Sequence, residues 1–314
     1  MLKQHLLSRR DWLLATTAAA MTTLLPVGFA VENKRRPLLG FSLYGMKTLA
    51  LSEALAQCAT VGYRCVELPV LADWPGDSAK FSAAAQKEFR EGLAKHKLRL
   101  TALMDNLPLL GDEAKHRGNL QRLKAAAEIA LSISDNDPPL VETVLGSKPA
   151  EWETVKQQFV DRLGEWARVM QQAEVKLAVK AHIANAIQRP DQLAWVLAEV
   201  NNPWLTAAYD FSHFELQKMD SRDTLKFLAG QITFVHVKDA QGEPGKFQFL
   251  LPGEGTIDYS RLFSTLAQVG YTGDIVVEVS GQISSKAGYD PIAAAKKSYA
   301  ALAPAMKHFG GETP

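Results

Sequence analysis

Five successive apolar runs in this 314-residue chain each end in side chains that move protons or hold ions. They deliver Glu142, then Lys180 with His182, Asp210 with His213, His236 with Lys238, and Glu278; an earlier run carries Glu67. Carboxylates, imidazoles and ammonium groups gathered in this way serve general acid–base chemistry, and three oxygen or imidazole donors together bind a divalent cation. Any one of these residues alone is more often a capped loop residue at a strand end. Five in a row are harder to explain without a site, because desolvating ionisable groups costs free energy. The clearest run is Ile232-Thr-Phe-Val-His-Val-Lys-Asp239. It reads as a buried parallel strand that presents polar side chains at its C-terminal end.

Eight such runs alternate with amphipathic stretches. The strands are expected at Leu38 to Tyr44, Cys65 to Pro69, Leu98 to Met104, Pro139 to Leu145, Val175 to Ala181, Trp204 to Tyr209, Ile232 to Asp239 and Asp274 to Ser280. Helical patterns run from Leu51 to Val61, Phe81 to His96, Lys115 to Leu131, Trp152 to Trp166, Pro190 to Val200, Ile257 to Val269 and Pro291 to Lys307. Regular alternation argues for βαβ units on a parallel sheet. Eight units over about 270 residues argue for a closed (β/α)8 TIM barrel. No Gly-x-Gly-x-x-Gly turn follows an early strand, so a dinucleotide-binding half is not expected. No linker-like tract divides the units, so residues 31–314 read as one domain. In such barrels, side chains at the C-terminal ends of the strands form the active site.

Residues 1–30 read separately, as a signal peptide. Ser8-Arg9-Arg10-Asp11-Trp12 precedes a short apolar stretch and the small residues Gly28-Phe29-Ala30, a pattern of twin-arginine export to the periplasm. An uncleaved anchor is the alternative, although the apolar run is short for a membrane span. Removing this segment takes away Lys3, Arg9, Arg10 and Asp11, so 35 basic and 34 acidic residues become 32 and 33, or −1. That balance carries no basic footprint for nucleic acid, and no later run is long enough to cross a membrane. It suits a protein acting on a small molecule; nothing in it specifies an oligomeric state. Cys58 and Cys65 fall on a helix and a strand start without zinc spacing, and read as two buried thiols rather than a disulfide.

The second half of the chain resembles the xylose isomerase-like barrel superfamily, in its sugar phosphate isomerase/epimerase branch. The matching segments are Ala178-Val-Lys-Ala-His182, Asp210-Phe-Ser-His213, Val235-His-Val-Lys-Asp239, Pro252-Gly-Glu-Gly255 followed by Asp258, and Gly270-Tyr-Thr-Gly273 leading to Val277-Glu278-Val279. The first half shares only the strand–helix rhythm. The resemblance implies a divalent metal (manganese, magnesium, cobalt or zinc) held by a glutamate on strand five, an aspartate on strand six, a histidine on strand seven and a glutamate on strand eight. Asp210, His236 and Glu278 match the last three positions. His213 resembles the family's substrate-touching histidine. Glu254 resembles a substrate-facing loop residue, with a solvated loop carboxylate as the equal alternative. Glu67, His182 and Lys238 stand at the rim as further substrate-binding candidates.

Lys180 is the departure, because it stands where the family places its first metal-binding glutamate. An ammonium about 4 Å from a cation costs on the order of 4 kcal/mol per unit of like charge at an effective dielectric near 20. Three arrangements are open. Glu142 supplies the missing carboxylate while Lys180 faces substrate; Lys180 has a depressed pKa and acts as a base beside the metal; or the metal is lost and Lys180 pairs with the acids in its place.

The resemblance implies an isomerase or epimerase that removes a proton beside a sugar carbonyl, with metal assistance. Lys180, Glu278 and His213 are the candidate catalytic residues; Glu142, Asp210, His236 and Glu278 are the candidate metal ligands. A carboxylate facing a lysine also suits β-elimination or hydration of a keto-sugar. A saccharide-binding barrel without catalysis is the reading from a different class. The superfamily's endonuclease branch needs a richer metal cluster and contact with DNA, which the near-neutral charge does not favour.

Overall fold

The computed structural model describes residues 35–134 and 137–310, and among them eight parallel strands close into a barrel. They are β1 (Leu39–Ser42), β2 (Cys65–Pro69), β3 (Arg99–Met104), β4 (Leu140–Thr143), β5 (Leu177–Lys180), β6 (Leu205–Asp210), β7 (Ile232–Val237) and, after an inserted hairpin, β10 (Ile275–Val277). Each pairs with its neighbours in chain order, and β10 closes the ring against β1. Helices α1 (Leu51–Val61), α2 (Ala83–His96), α3 (Glu113–Ile133), α4 (Trp152–Gln172) and α5 (Pro190–Val200) follow the first five strands. The short α6 (Phe211–Glu215) and α7 (Ser221–Leu228) follow β6, while α8 (Tyr259–Gln268) precedes β10 and α9 (Gly281–Ser284) and α10 (Pro291–Leu302) follow it. The helix starts obey local chemistry: Ser82 and Asp290 accept backbone N–H groups as caps, and Pro190 and Pro291 open their helices, where the missing N–H costs nothing. The signal segment expected over residues 1–30 lies outside the described residues. No described helix is long and apolar enough to cross a membrane.

The period-2 alternation of the strands decides where the site forms. On one side, Phe41, Val66, Leu103, Val141, Val179, Tyr209, Val235 and Val277 are buried in the core beneath the helices. On the other, Cys65, Ala102, Leu140, Ala178, Ala208, Phe234 and Val276 form a separate apolar cluster inside the barrel. Two residues further along six of those strands stand Glu67, Glu142, Lys180, Asp210, His236 and Glu278; only β3 continues with an apolar residue, Met104. The polar ring is therefore the next inward layer above an apolar plug. Gly40 completes the plug on β1: a Cβ there would lie 2.5 Å from the Cys65 sulfur and 2.7 Å from its carbonyl oxygen. Both cysteines are buried and free, as their sequence positions suggested.

Below the plug, Asp274 ties the barrel floor together. Its buried carboxylate accepts from Leu38 N at 3.0 Å, from both ends of the Arg99 guanidinium and from Arg35. Asp274→Ala leaves two arginines and one backbone N–H without their acceptor. With both arginines about a third exposed or more, we expect a loss of roughly 2–3 kcal/mol, read as a lower urea midpoint at unchanged m-value.

Two elements were not legible from periodicity. The stretch after β6 contains α7, and the one after β7 folds into an antiparallel hairpin, β8 (Asp239–Glu243) with β9 (Lys246–Leu250). Gly242, Gly245 and the alternating Phe247 and Phe249 are its signature in retrospect. Gly242 takes φ +106° at the bend and leaves no room for a Cβ against Lys246 O.

Candidate active site

Glu142, Lys180, Asp210, His236, Lys238 and Glu278 meet at the C-terminal mouth, and Lys180 lies at their centre. Its ammonium is 3.2 Å from Glu142 Oε1, 3.1 Å from Glu278 Oε2 and 2.9 Å from His236 Nδ1. Lys238 donates to Asp210 Oδ2 and, at 2.6 Å, to the same Glu278 Oε2. The side chains of Glu67, Glu142 and Asp210 are wholly buried, whereas Glu278 keeps 13% of its side chain exposed. Glu278 is thus the carboxylate of the cluster that a substrate entering the mouth can reach.

Glu67, a substrate-binding candidate in the sequence, accepts from His236 Nε2 at 3.0 Å through one oxygen. Its other oxygen has no partner, and neither carboxylate oxygen of Glu142 has a hydrogen bond of good geometry. His213 Nδ1 accepts from the Ile183 N–H, so the neutral ring carries its proton on Nε2, on the side of Asp210. Asp210 is fixed from behind by the Ser212 hydroxyl at 2.6 Å and the Ser212 N–H at 3.1 Å. His213 Nε2 stands 3.4 Å from Asp210 Oδ2, and its Nδ1 faces the Ile183 N–H. His182 packs at a tilt against His213 with ring centroids 4.2 Å apart, and Phe249 of the hairpin packs edge-on against His213. Lys238 lies 4.9 Å from the Phe249 ring. Phe249 was missed because its hairpin was missed.

Glu254 is not brought to this cluster. Its carboxylate accepts from Lys297 on α10 at 2.5 Å and caps the Leu251 N–H at 2.9 Å. Those contacts hold the Gly253-Glu-Gly255 turn, whose glycine N–H groups are gathered by Asp239. Tyr44 and Trp74 stack on each other at 4.4 Å. Burial, and then Glu278, raises the Tyr44 phenol, whose hydroxyl lies near Gly281 at the start of α9.

Proton affinities follow the geometry. Burial opposes the charge on Lys180, but Glu142 and Glu278 outweigh it and raise its pKa, so it stays an ammonium. Burial raises Glu142 against the pull of Lys180. For Glu278 and Asp210 the neighbouring ammonium groups overcome burial and hold both well below the ordinary carboxylate range. Burial lowers His213 to about 4, so it is neutral near pH 7. Glu67 raises His236 against burial. Even so, an N–H on Nδ1 would point at another N–H while Lys180 is charged, so the proton of His236 sits on Nε2 and is donated to Glu67.

Among the described residues, two donor groups have the spacing for a metal: Glu67, Glu142 and His236, and Asp210, His236 and Glu278, each with ligand atoms within 4.8 Å of one another. As placed, neither fits a resident dication. Nδ1 of His236 has one lone pair, and it accepts from Lys180; Glu142, Glu278 and Asp210 also face ammonium groups. A dication about 4 Å from both lysines would meet on the order of 8 kcal/mol of repulsion from each at an effective dielectric near 20.

The family profile described as xylose isomerase-like TIM barrel matches residues 55–304. Among curated proteins, L-ribulose-5-phosphate 3-epimerase UlaE of Escherichia coli O157:H7 (strain EC4115 / EHEC) is 30% identical over 171 residues, covering 54% of this chain and 58% of that protein. The match thus spans less than two thirds of the curated relatives. Among solved structures, the IolI protein with a bound zinc atom superposes with a TM-score of 0.71 at 21% identity, over 85% of this chain and 98% of that one. The 3-keto-D-glucoside 4-epimerase YcjR from E. coli superposes at 0.67 and 16% identity, over 85% and 99%. At these identities the structures show a shared fold.

Proposed function

Because the chain belongs to the xylose isomerase-like TIM barrel family, we propose that it is a sugar isomerase or epimerase working by proton abstraction beside a carbonyl. The observation that carries this reading is the pair Glu278 and Glu142 on either side of the Lys180 ammonium, with Lys238 beside Glu278. Glu278, ionised and reachable, removes the proton from the carbon next to the carbonyl. The C–H electron pair becomes the C=C bond of an enediolate, and the carbonyl π pair moves to oxygen. Lys238 uses two of its three N–H groups on Asp210 and Glu278, which leaves one for that oxygen. A proton delivered to the same carbon from the opposite face gives the epimer; a proton delivered to the neighbouring carbon, with the hydroxyl proton passing to the former carbonyl oxygen, gives the isomer. The named relative UlaE acts on a ketose phosphate, which supports a keto-sugar as the substrate class; residues 1–30, read as a twin-arginine signal, favour a non-phosphorylated sugar met outside the cytosol.

The test is incubation with simple ketoses and 3-keto-glycosides in deuterated water, followed by NMR. Deuterium appearing at the carbon beside the carbonyl is the expected result. Binding without exchange across the panel overturns the reading in favour of a saccharide-binding barrel. Elimination is the second reading, favoured by an ammonium poised to protonate a leaving hydroxyl next to Glu278; it would show in the same spectra as an unsaturated product.

A further inference from the structure

We propose that Lys180 and Lys238 take the place of the divalent cation, so that this member of the family stabilises charge on the sugar oxygen with two fixed ammonium groups and binds no catalytic metal. The proposal rests on the proton-abstraction reading for its chemistry, and on contact geometry alone for the exclusion of the ion.

Three observations meet at one point. First, Lys180 stands on β5 two residues beyond Ala178 of the plug, so the strand itself aims its side chain into the barrel. There its ammonium lies against members of both three-donor groups, Glu142, His236 and Glu278. Second, both lysines sit on the donor atoms themselves. Glu278 Oε2 receives both ammonium groups, Asp210 Oδ2 receives Lys238, and His236 Nδ1 receives Lys180. An imidazole nitrogen with one lone pair cannot serve an ammonium and a metal at once. Third, the tautomer is fixed from the far side, because His236 Nε2 is committed to Glu67 across the barrel. The ring cannot turn to offer its other nitrogen without orphaning a wholly buried carboxylate.

The side chains of Lys180 and Lys238 are 2% and 3% exposed. To swing into solvent, Lys180 would have to give up Glu142 and Lys238 would have to give up Asp210, each a wholly buried carboxylate, and both share Glu278. The arrangement supplies what an ion would: fixed positive charge next to the developing oxyanion in a water-poor site. It differs in donating protons through N–H bonds and in depending on no metal supply.

The test begins with the wild-type protein, dialysed against EDTA and then against buffer. Metal content is read by mass spectrometry, and Tm is followed while MnCl2, CoCl2 or ZnCl2 is added. The expected result is substoichiometric metal and a Tm that does not respond to any of the three. About one ion per chain surviving dialysis, or a saturable rise in Tm, overturns the proposal. The second arm is the double variant Lys180→Glu with Lys238→Met, which frees His236 Nδ1, Glu278 and Asp210 and adds a carboxylate. It is expected to gain Mn2+ binding, with Tm rising by about 5 °C near 100 Kd. A folded double variant that binds no better than wild type would count against the proposal. If that variant does not fold, the wild-type measurements decide alone. Solvent exchange is then measured with and without EDTA. Exchange that EDTA abolishes overturns the metal-free centre, whereas no exchange under any condition overturns the proton-abstraction reading and leaves the metal measurements to stand by themselves.

Discussion

Glu278→Gln is expected to lower kcat/KM for solvent exchange by about 10³-fold, within the 10²–10⁴ range of a lost general base, with little change in KM. The reason lies in exposure and charge together. Of the carboxylates in the ring, Glu278 alone presents part of its side chain to the mouth, and two ammonium groups hold it ionised well below the usual carboxylate range. Protonation of the base therefore does not limit the rate near neutral pH. Glutamine keeps an oxygen for Lys180 and Lys238, so the fold should survive and the loss should fall on kcat. A variant that retains exchange within a few-fold of wild type would remove Glu278 from the chemistry and leave Glu142 as the base.

Lys180→Met is expected to damage both stability and activity. Removing one member of a buried ion cluster costs about 3–5 kcal/mol, since the remaining charges lose their partner. Glu142 and Glu278 both face that ammonium. The diagnostic is the double variant Lys180→Met with Glu142→Gln. Replacing both partners of a buried pair is far milder than breaking it, so the double variant should regain a good part of the lost stability in urea titrations. Activity should not return with it, because the fixed charge is still missing. Additive losses in the double variant would mean that Lys180 and Glu142 are not energetically coupled, contrary to their 3.2 Å approach.

The sequence by itself determined the barrel and the ring of candidates. Strand–helix alternation and period-2 patterning are local properties, readable wherever an apolar residue such as Ala178, Ala208, Phe234 or Val276 is followed two places later by Lys180, Asp210, His236 or Glu278. The same locality explains what was not legible. Which ring members touch depends on which strands face each other across the closed barrel, and that placed Glu67 on His236 although 169 residues separate them. Glu254 has the loop context of a substrate contact, yet it pairs with Lys297 on the outer helix α10. Lys180 was visible as the anomaly, but only the tertiary structure showed what surrounds it. Three acceptors from β4, β7 and the end of β10 converge on one ammonium, and the summed attraction of groups far apart in the chain, not the residue's own neighbours, keeps it charged at the centre of the site.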